Sequence, residues 1–304
     1  MSDTMLRRPL VDRRQFLAGT ASVVAAGACG ILPAAEKTPA AAGPARWPMK
    51  LSCSSIAFAS LPIEDACRRI GDLGFEAIDL WSAYAGCPHL DDALNRLGPQ
   101  GLTDLLTRFQ LKLYAFSVYV GGYPKYAELL GQSGGGVAIR GSAGPCQADE
   151  LTSRMKSFLE SLKPDLELAE KYNSYLAIEN HGHALLDSLD SFKAFADLNT
   201  HPRLGIAMAP YHLQGIGASV EDAIRIVGRQ LLFFYAWQRA EGTAQLPGHG
   251  PTDCSAWLAA LAEVGYPWYV NPFMHHEPAP DEMAMAMKKS RDYLEVSYRK
   301  AIGG

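Results

Sequence analysis

From Met49 to the C-terminus, short apolar runs alternate with longer amphipathic stretches, and this alternation restricts the fold more than any other feature of the chain. Parallel strands cannot be joined by tight turns, so a strand–helix–strand rhythm implies a parallel sheet with helical crossovers. Eight runs read as strands: MKLSCSSIAF (49–58), FEAIDLW (75–81), LKLYAFSVY (111–119), GVAIRGS (136–142), SYLAIEN (174–180), RLGIAMA (203–209), LLFFYAW (231–237) and PWYVNPF (267–273). Helical stripes fall between them. PIEDACRRIGDLG (62–74) sets Ile63, Ala66, Cys67, Ile70 and Leu73 on one face, with Gly74 as its C-terminal cap. The segment 148–173 carries Pro164, which should kink or split it. Ser219 and Asp253 read as N-caps of the helices that follow them.

Eight strand–helix units in about 250 residues match a (β/α)8 TIM barrel, a single domain over residues 49–304. An open doubly wound sheet is the rival, but no GxGxxG follows the first strand. The glycine-rich GQSGGGVAIRGSAGP (131–145) lacks the Gly-Lys-Ser/Thr ending of a phosphate cradle and supplies the fourth strand and a loop. A hydrophobic content of 48% suits one large core. The net charge of −4 and the lack of a basic stretch beyond the N-terminus argue against a nucleic-acid partner.

The first 48 residues differ in kind. RRQFLAGTASVVAAGACGILPAA pairs Arg13 with Arg14, continues with Phe16 and Leu17, and runs through a mildly apolar segment into small residues. Residues 1–35 thus resemble a twin-arginine export signal, and 36–48 form a Pro/Ala-rich linker. The expectations are engagement with the twin-arginine export machinery and a periplasmic location. Lipid attachment at Cys29 is the alternative, weakened by Ala26 where an aliphatic residue is usual. No other stretch approaches the roughly 18 apolar residues of a membrane span. The five cysteines beyond the signal are odd in number and lack CxxC spacing, which favours buried or free thiols.

Chemistry concentrates at AIENHGH (177–183), where a carboxylate, an amide and two imidazoles follow the fifth apolar run. Barrels of this kind build their chemistry at the C-terminal ends of the strands. Glu179 falls there, and a carboxylate in that position is costly to bury without a role or a partner. His181 follows two residues later and His212 follows the sixth strand. Trp81, Trp237 and Gln238 leave the second and seventh strands, where an indole can stack on a sugar face and an amide can read hydroxyls. His89 and His249 lie on loops, and Asn271 sits in the eighth strand before Pro272, a residue that usually marks a sheet irregularity.

Several stretches carry a family likeness. LGFEAIDLW, AIEN, YHL and GHGPTDCSAWLAALAEVGY are similar to segments of the xylose isomerase-like TIM barrels, the sugar phosphate isomerase/epimerase superfamily. That resemblance implies a divalent metal held by a Glu on the fifth strand, an Asp on the sixth in Asp-x-x-His, a His on the seventh and a Glu on the eighth. Glu179 fits the first position, and His212 is the histidine that accompanies the second. The other three ligands are replaced at Ala209, Ala236 and Phe273. One strand period further out stand His181, Gln238 and His275, so Glu179, His212, Gln238 and His275 are the expected substitutes for manganese, zinc or iron.

The resemblance implies an enzyme that takes a proton from beside a carbonyl of a carbohydrate, non-phosphorylated if the chain is exported. Glu179, His212 and His181 are then the catalytic residues, and Trp81, His89, Trp237, Gln238, Asn271 and His249 the substrate-binding ones. Isomerase or epimerase comes first. A 3-keto-glycoside lyase is the alternative, as is a barrel that binds sugar without turning it over. An endonuclease on the same barrel would need a multi-histidine metal cluster and a basic face, and neither is visible.

Overall fold

The computed structural model describes residues 47–303. The twin-arginine segment, Cys29 and all of the linker before Trp47 lie outside the described residues. Eight parallel strands close into a barrel in simple sequence order: β1 (Lys50–Ser54), β2 (Ala77–Trp81), β3 (Lys112–Ser117), β4 (Val137–Gly141), β5 (Tyr175–Glu179), β6 (Leu204–Met208), β7 (Leu231–Ala236) and β8 (Tyr269–Pro272). Every predicted run contains one of these strands, each shortened at its ends. The apolar tail of the first run leaves the sheet as a short helical turn, Ser55–Phe58.

The helices follow their sequence signals closely. Ile63–Asp72 ends where Gly74 takes a positive φ of 79°, a conformation that costs glycine little. The segment containing Pro164 splits into Leu151–Ser161 and Lys163–Lys171, with the proline in the first turn of the second helix, where no N–H is missed. Ser219 caps Val220–Val227 by accepting from the Asp222 N–H. Asp253 stands one residue ahead of the cap Cys254 and still accepts from the Ser255 N–H at 3.0 Å. All five described cysteines are free, and four of them are buried. Among the described residues no helix is long and apolar enough to cross a membrane.

Strand alternation divides the apolar side chains into two sets. One set, including Leu80, Phe116, Ile178, Phe234 and Val270, packs outward under the helices. The other fills the barrel in layers. At its base Tyr114 stacks on Phe233 at 4.9 Å and meets Tyr269 at 4.9 Å. Above them lies a polar layer: Ser52 donates to Asn271, Asn271 to Ser54, and Ser54 to Asp79. The top layer carries Trp81, Trp237 and Phe273. Register shifts occur at Ile78/Asp79 and Ile206/Ala207, whereas Ala236 pairs Pro272 in an unbroken β7–β8 register. Pro272 is the last residue of its strand, so its missing N–H interrupts no further pairing.

Gly205 makes the closest approach in the sheet. A Cβ there would lie 2.1 Å from the Gln230 carbonyl oxygen and 2.6 Å from Leu232 Cγ. Gly205→Ala is expected to destabilise the barrel by about 3 kcal/mol, the upper end of ordinary overpacking. Urea unfolding checks this, and an unchanged midpoint would show that β6 and β7 can separate without cost.

Candidate active site

A cavity of about 780 Å³ opens at the C-terminal ends of the strands. That volume lies within the range of small-molecule sites. Glu179 reaches it from the last position of β5 and accepts a hydrogen bond from the Tyr119 hydroxyl at 2.6 Å. Tyr119 is placed by β3, two residues beyond Ser117 on the inward face, and its hydroxyl lies 3.3 Å from that of Tyr235. Burial raises the Glu179 carboxyl to about 7, opposed by the Tyr119 hydrogen bond and reinforced by the negative Asp79. Asp79 is itself raised to about 6 by burial, although Ser54, Ser117 and the Trp81 indole N–H all donate to it. Burial keeps the Tyr119 hydroxyl protonated, so it remains a donor.

Histidines form the opposite part of the cup. His181 and His212 approach to 4.0 Å between ring centroids. His181 Nδ1 donates to the Gly182 carbonyl at 2.8 Å, which leaves Nε2 with its lone pair in the neutral ring. His212 Nε2 is buried without a hydrogen-bond partner among the described residues. Burial lowers His212 to about 3, helped by His181, His275 and Arg239, and lowers His275 to about 4. Both rings are therefore neutral at physiological pH.

Aromatic rings wall the remaining sides. Trp81 stacks on Phe273 at 5.4 Å, and Trp237 on Tyr211 at 4.4 Å. The Trp237 indole N–H donates to Gln245 Oε1, and Gln245 Nε2 donates to the His275 carbonyl, which locks these two walls together. Asn180 pairs with both backbone groups of Ala209, holding the ends of β5 and β6 in place.

Glu179, His181, His212, Trp81, Trp237 and His275 are thus brought to one cavity, and His183 and His276 join them at its edge. Four expected site residues lie elsewhere. His89 is fully buried, its Nε2 donating to the Leu61 carbonyl and its Nδ1 facing the Cys87 thiol, so it ties two loops together beneath the surface. His249 donates to the Ala286 carbonyl of the C-terminal helix. Asn271 faces inward but one layer too deep, within the serine–aspartate layer. Gln238 donates to the Leu246 carbonyl and accepts from the Thr252 N–H, pinning the loop after β7.

The misplacement of Gln238 has a definite cause. The inward residues of β7 are Phe233 and Tyr235, a phase that Trp237 continues just past the strand, while Ala236 packs outward; counting from Ala236 puts the whole strand out of phase. The cavity and its surroundings also use Tyr119, Tyr211, Gln245, Arg239 and Asp79, which the sequence reading does not include. Period two from Ser117 finds Tyr119, and the Tyr-His-Leu stretch contains Tyr211, but nothing local marks Gln245 or Arg239.

The residues present can be compared with the metal site that the family implies. Inward positions that would supply Asp, His and Glu carry Ala209, the aromatic pair Tyr235 and Trp237, and Phe273. Of the substitute set Glu179, His212, Gln238 and His275, the amide is turned away. Among the described residues no three His, Cys, Asp or Glu side chains are grouped to hold an ion. The donor set does not fit the metal the family implies.

A closed eight-stranded parallel barrel with a carboxylate and paired imidazoles at its C-terminal mouth defines a (β/α)8 barrel. The chain belongs to the xylose isomerase-like TIM barrel family, whose model matches residues 67–294. Among solved structures it is similar to 3-keto-D-glucoside 4-epimerase from E. coli, at 14% identity over 81% of this chain and 100% of that one, with a TM-score of 0.63. It also resembles a D-tagatose 3-epimerase-like protein (14% identity, 83% and 99% covered, TM-score 0.64). A third likeness is to the IolI protein solved with a bound zinc atom (14%, 84% and 100%, TM-score 0.65). No curated protein sequence matches the chain. At these identities the likeness is one of fold.

Proposed function

We propose that this protein is a carbohydrate isomerase or epimerase that abstracts a proton beside a carbonyl, with Glu179 as the base. The observation that carries this reading is the Glu179 carboxyl, poised near 7 in an aromatic-walled cavity at the catalytic end of the barrel. In the reaction the C–H proton passes to the Glu179 carboxylate, the C–H pair becomes a C=C bond, and the carbonyl π pair moves onto oxygen to give an enediolate. His212, neutral and with Nε2 unpartnered, donates to that oxygen; a neutral imidazole polarises a carbonyl without being consumed as an acid. Returning the proton to the adjacent carbon, while a proton passes from that neighbour's hydroxyl to the original carbonyl oxygen, isomerises the sugar. His181, with its Nε2 lone pair available, is the second acid/base group that epimerisation requires. Expulsion of a glycosidic oxygen from the same enediolate would be elimination, the lyase outcome. Trp81 and Trp237 offer faces for the sugar ring. The sugar epimerase named among the similar structures, 3-keto-D-glucoside 4-epimerase, supports the same class.

Incubation with a panel of ketoses, keto-glycosides and glycosides in deuterated water, read by NMR, tests the proposal. Deuterium entering one carbon next to the carbonyl is the expected result, and elimination products would select the lyase. Sugar binding without exchange would refute catalysis and leave a carbohydrate-binding barrel. Because the donor set does not fit the family's metal, dialysis against a chelator is expected to leave the exchange rate unchanged. A loss of rate restored by zinc or manganese would overturn that expectation.

A further inference from the structure

We infer that Arg239 anchors a carboxylate, so that the substrate of this cavity is a sugar acid that also carries a carbonyl, such as a uronate or a keto-aldonate. The inference rests on the reading of the cavity as a sugar site and goes further by naming the group that orients the ligand. Arg239 lines the cavity at its lip, three residues past the end of β7 and two beyond Trp237. Its guanidinium takes part in none of the ion pairs among the described residues, unlike Arg96, Arg140 or Arg225. The side chain is nevertheless held in place. Its guanidinium lies 5.4 Å from the centre of the Tyr211 ring, and its backbone N–H donates to Gln214 Oε1 at 2.7 Å. Gly215 leaves the room it occupies, since a Cβ there would lie 2.6 Å from Arg239 Nη1.

A planar five-donor cation fixed against an aromatic ring, with its charge unspent, matches a carboxylate bidentately. Tyr211 in turn stacks on Trp237, so the cation and the indole wall form one rigid unit. Arg239 is also close enough to His212 to oppose its protonation. A ligand whose acid group meets Arg239 therefore extends past His212 into the cup that holds Glu179. Glu241 shares the lip and is not paired with Arg239; both side chains are exposed, so solvent screens the repulsion from Glu241 and the anchor works through its bidentate hydrogen bonds more than through bare charge.

The test is calorimetric titration of the full chain with matched pairs: glucuronate against glucose, galacturonate against galactose, fructuronate against fructose. At least one acid is expected to bind ten-fold or more tightly than its neutral partner. Arg239→Gln should erase that gap by weakening the acid alone, and Arg239→Lys should retain part of it. The gap should also narrow as salt is raised. No preference for any acid, or an equal loss for acid and neutral sugar in Arg239→Gln, would overturn the inference and assign Arg239 to propping Tyr211. Deuterium exchange on the same sugars separates this inference from the assignment of the base. Acid preference in a protein that exchanges no deuterium would sink the base and keep the anchor, and exchange of neutral sugars without acid preference would do the reverse.

Discussion

Glu179→Gln is expected to lower deuterium exchange by about 10³-fold while raising thermal stability above pH 7. The loss of rate follows from removing the carboxylate assigned as the base that takes the carbon-bound proton, a contribution of roughly 10²–10⁴ for general base catalysis. The gain in stability follows from proton linkage. The folded carboxyl sits at about 7, above its ordinary value of 4.5, so the folded state holds this proton more tightly than the unfolded chain does. The stabilisation from that difference is complete below the ordinary carboxyl range and is lost as pH rises through about 7. Above pH 7 the wild type therefore bears the cost of a buried anion, up to about 3 kcal/mol when the gap between folded and unfolded values is converted to free energy. Glutamine bears none of it. Melting curves at pH 5 and pH 8 check this: the variant should match the wild type at the lower pH and exceed it by several degrees at the higher. Equal melting temperatures at pH 8 would mean that Glu179 is not desolvated in solution, and the base assignment would lose its physical basis.

The second large effect is a pair of opposite shifts in the pH dependence of the reaction. Exchange should rise with pH through about 7 as Glu179 ionises, and His212 and His275 add no acid limb above pH 5 because both stay neutral there. Tyr119→Phe removes a donor that favours the ionised carboxylate, so the rise should move upward by about one pH unit, the worth of one charge-assisted hydrogen bond. At pH 7 the variant should be about five-fold slow, and at pH 9 nearly restored. Asp79→Asn removes a negative charge that opposes ionisation, so its profile should move downward. Asp79 does not line the cavity; it acts through the field it sets beneath Glu179. Movement of both variants in the same direction would contradict the assignment of Glu179 as the titrating group. A merely structural effect of either substitution would lower the rate at every pH and leave the midpoint in place.

The sequence alone sufficed for the barrel. Each strand is a short run rich in apolar residues because both of its faces are buried, one by helices and one by the barrel interior, and such runs are visible without coordinates. The helix breaks at Gly74 and Pro164 were legible for the same reason: they depend on backbone conformation within a few residues. Glu179, His181 and His212 could also be placed, because the position of a residue at the C-terminal end of a strand follows from the strand itself. The phase of β7 could not, since an all-apolar run such as LLFFYAW does not say which alternate residues face inward. Tertiary structure alone decided that Trp237 enters the cup and Gln238 leaves it, that Asn271 lies one layer below the cavity, and that Arg239 stands beside Tyr211 with no ion-pair partner among the described residues. Those outcomes depend on contacts between residues far apart in the chain, where packing and hydrogen-bond partners choose among side-chain directions that the local sequence leaves equal.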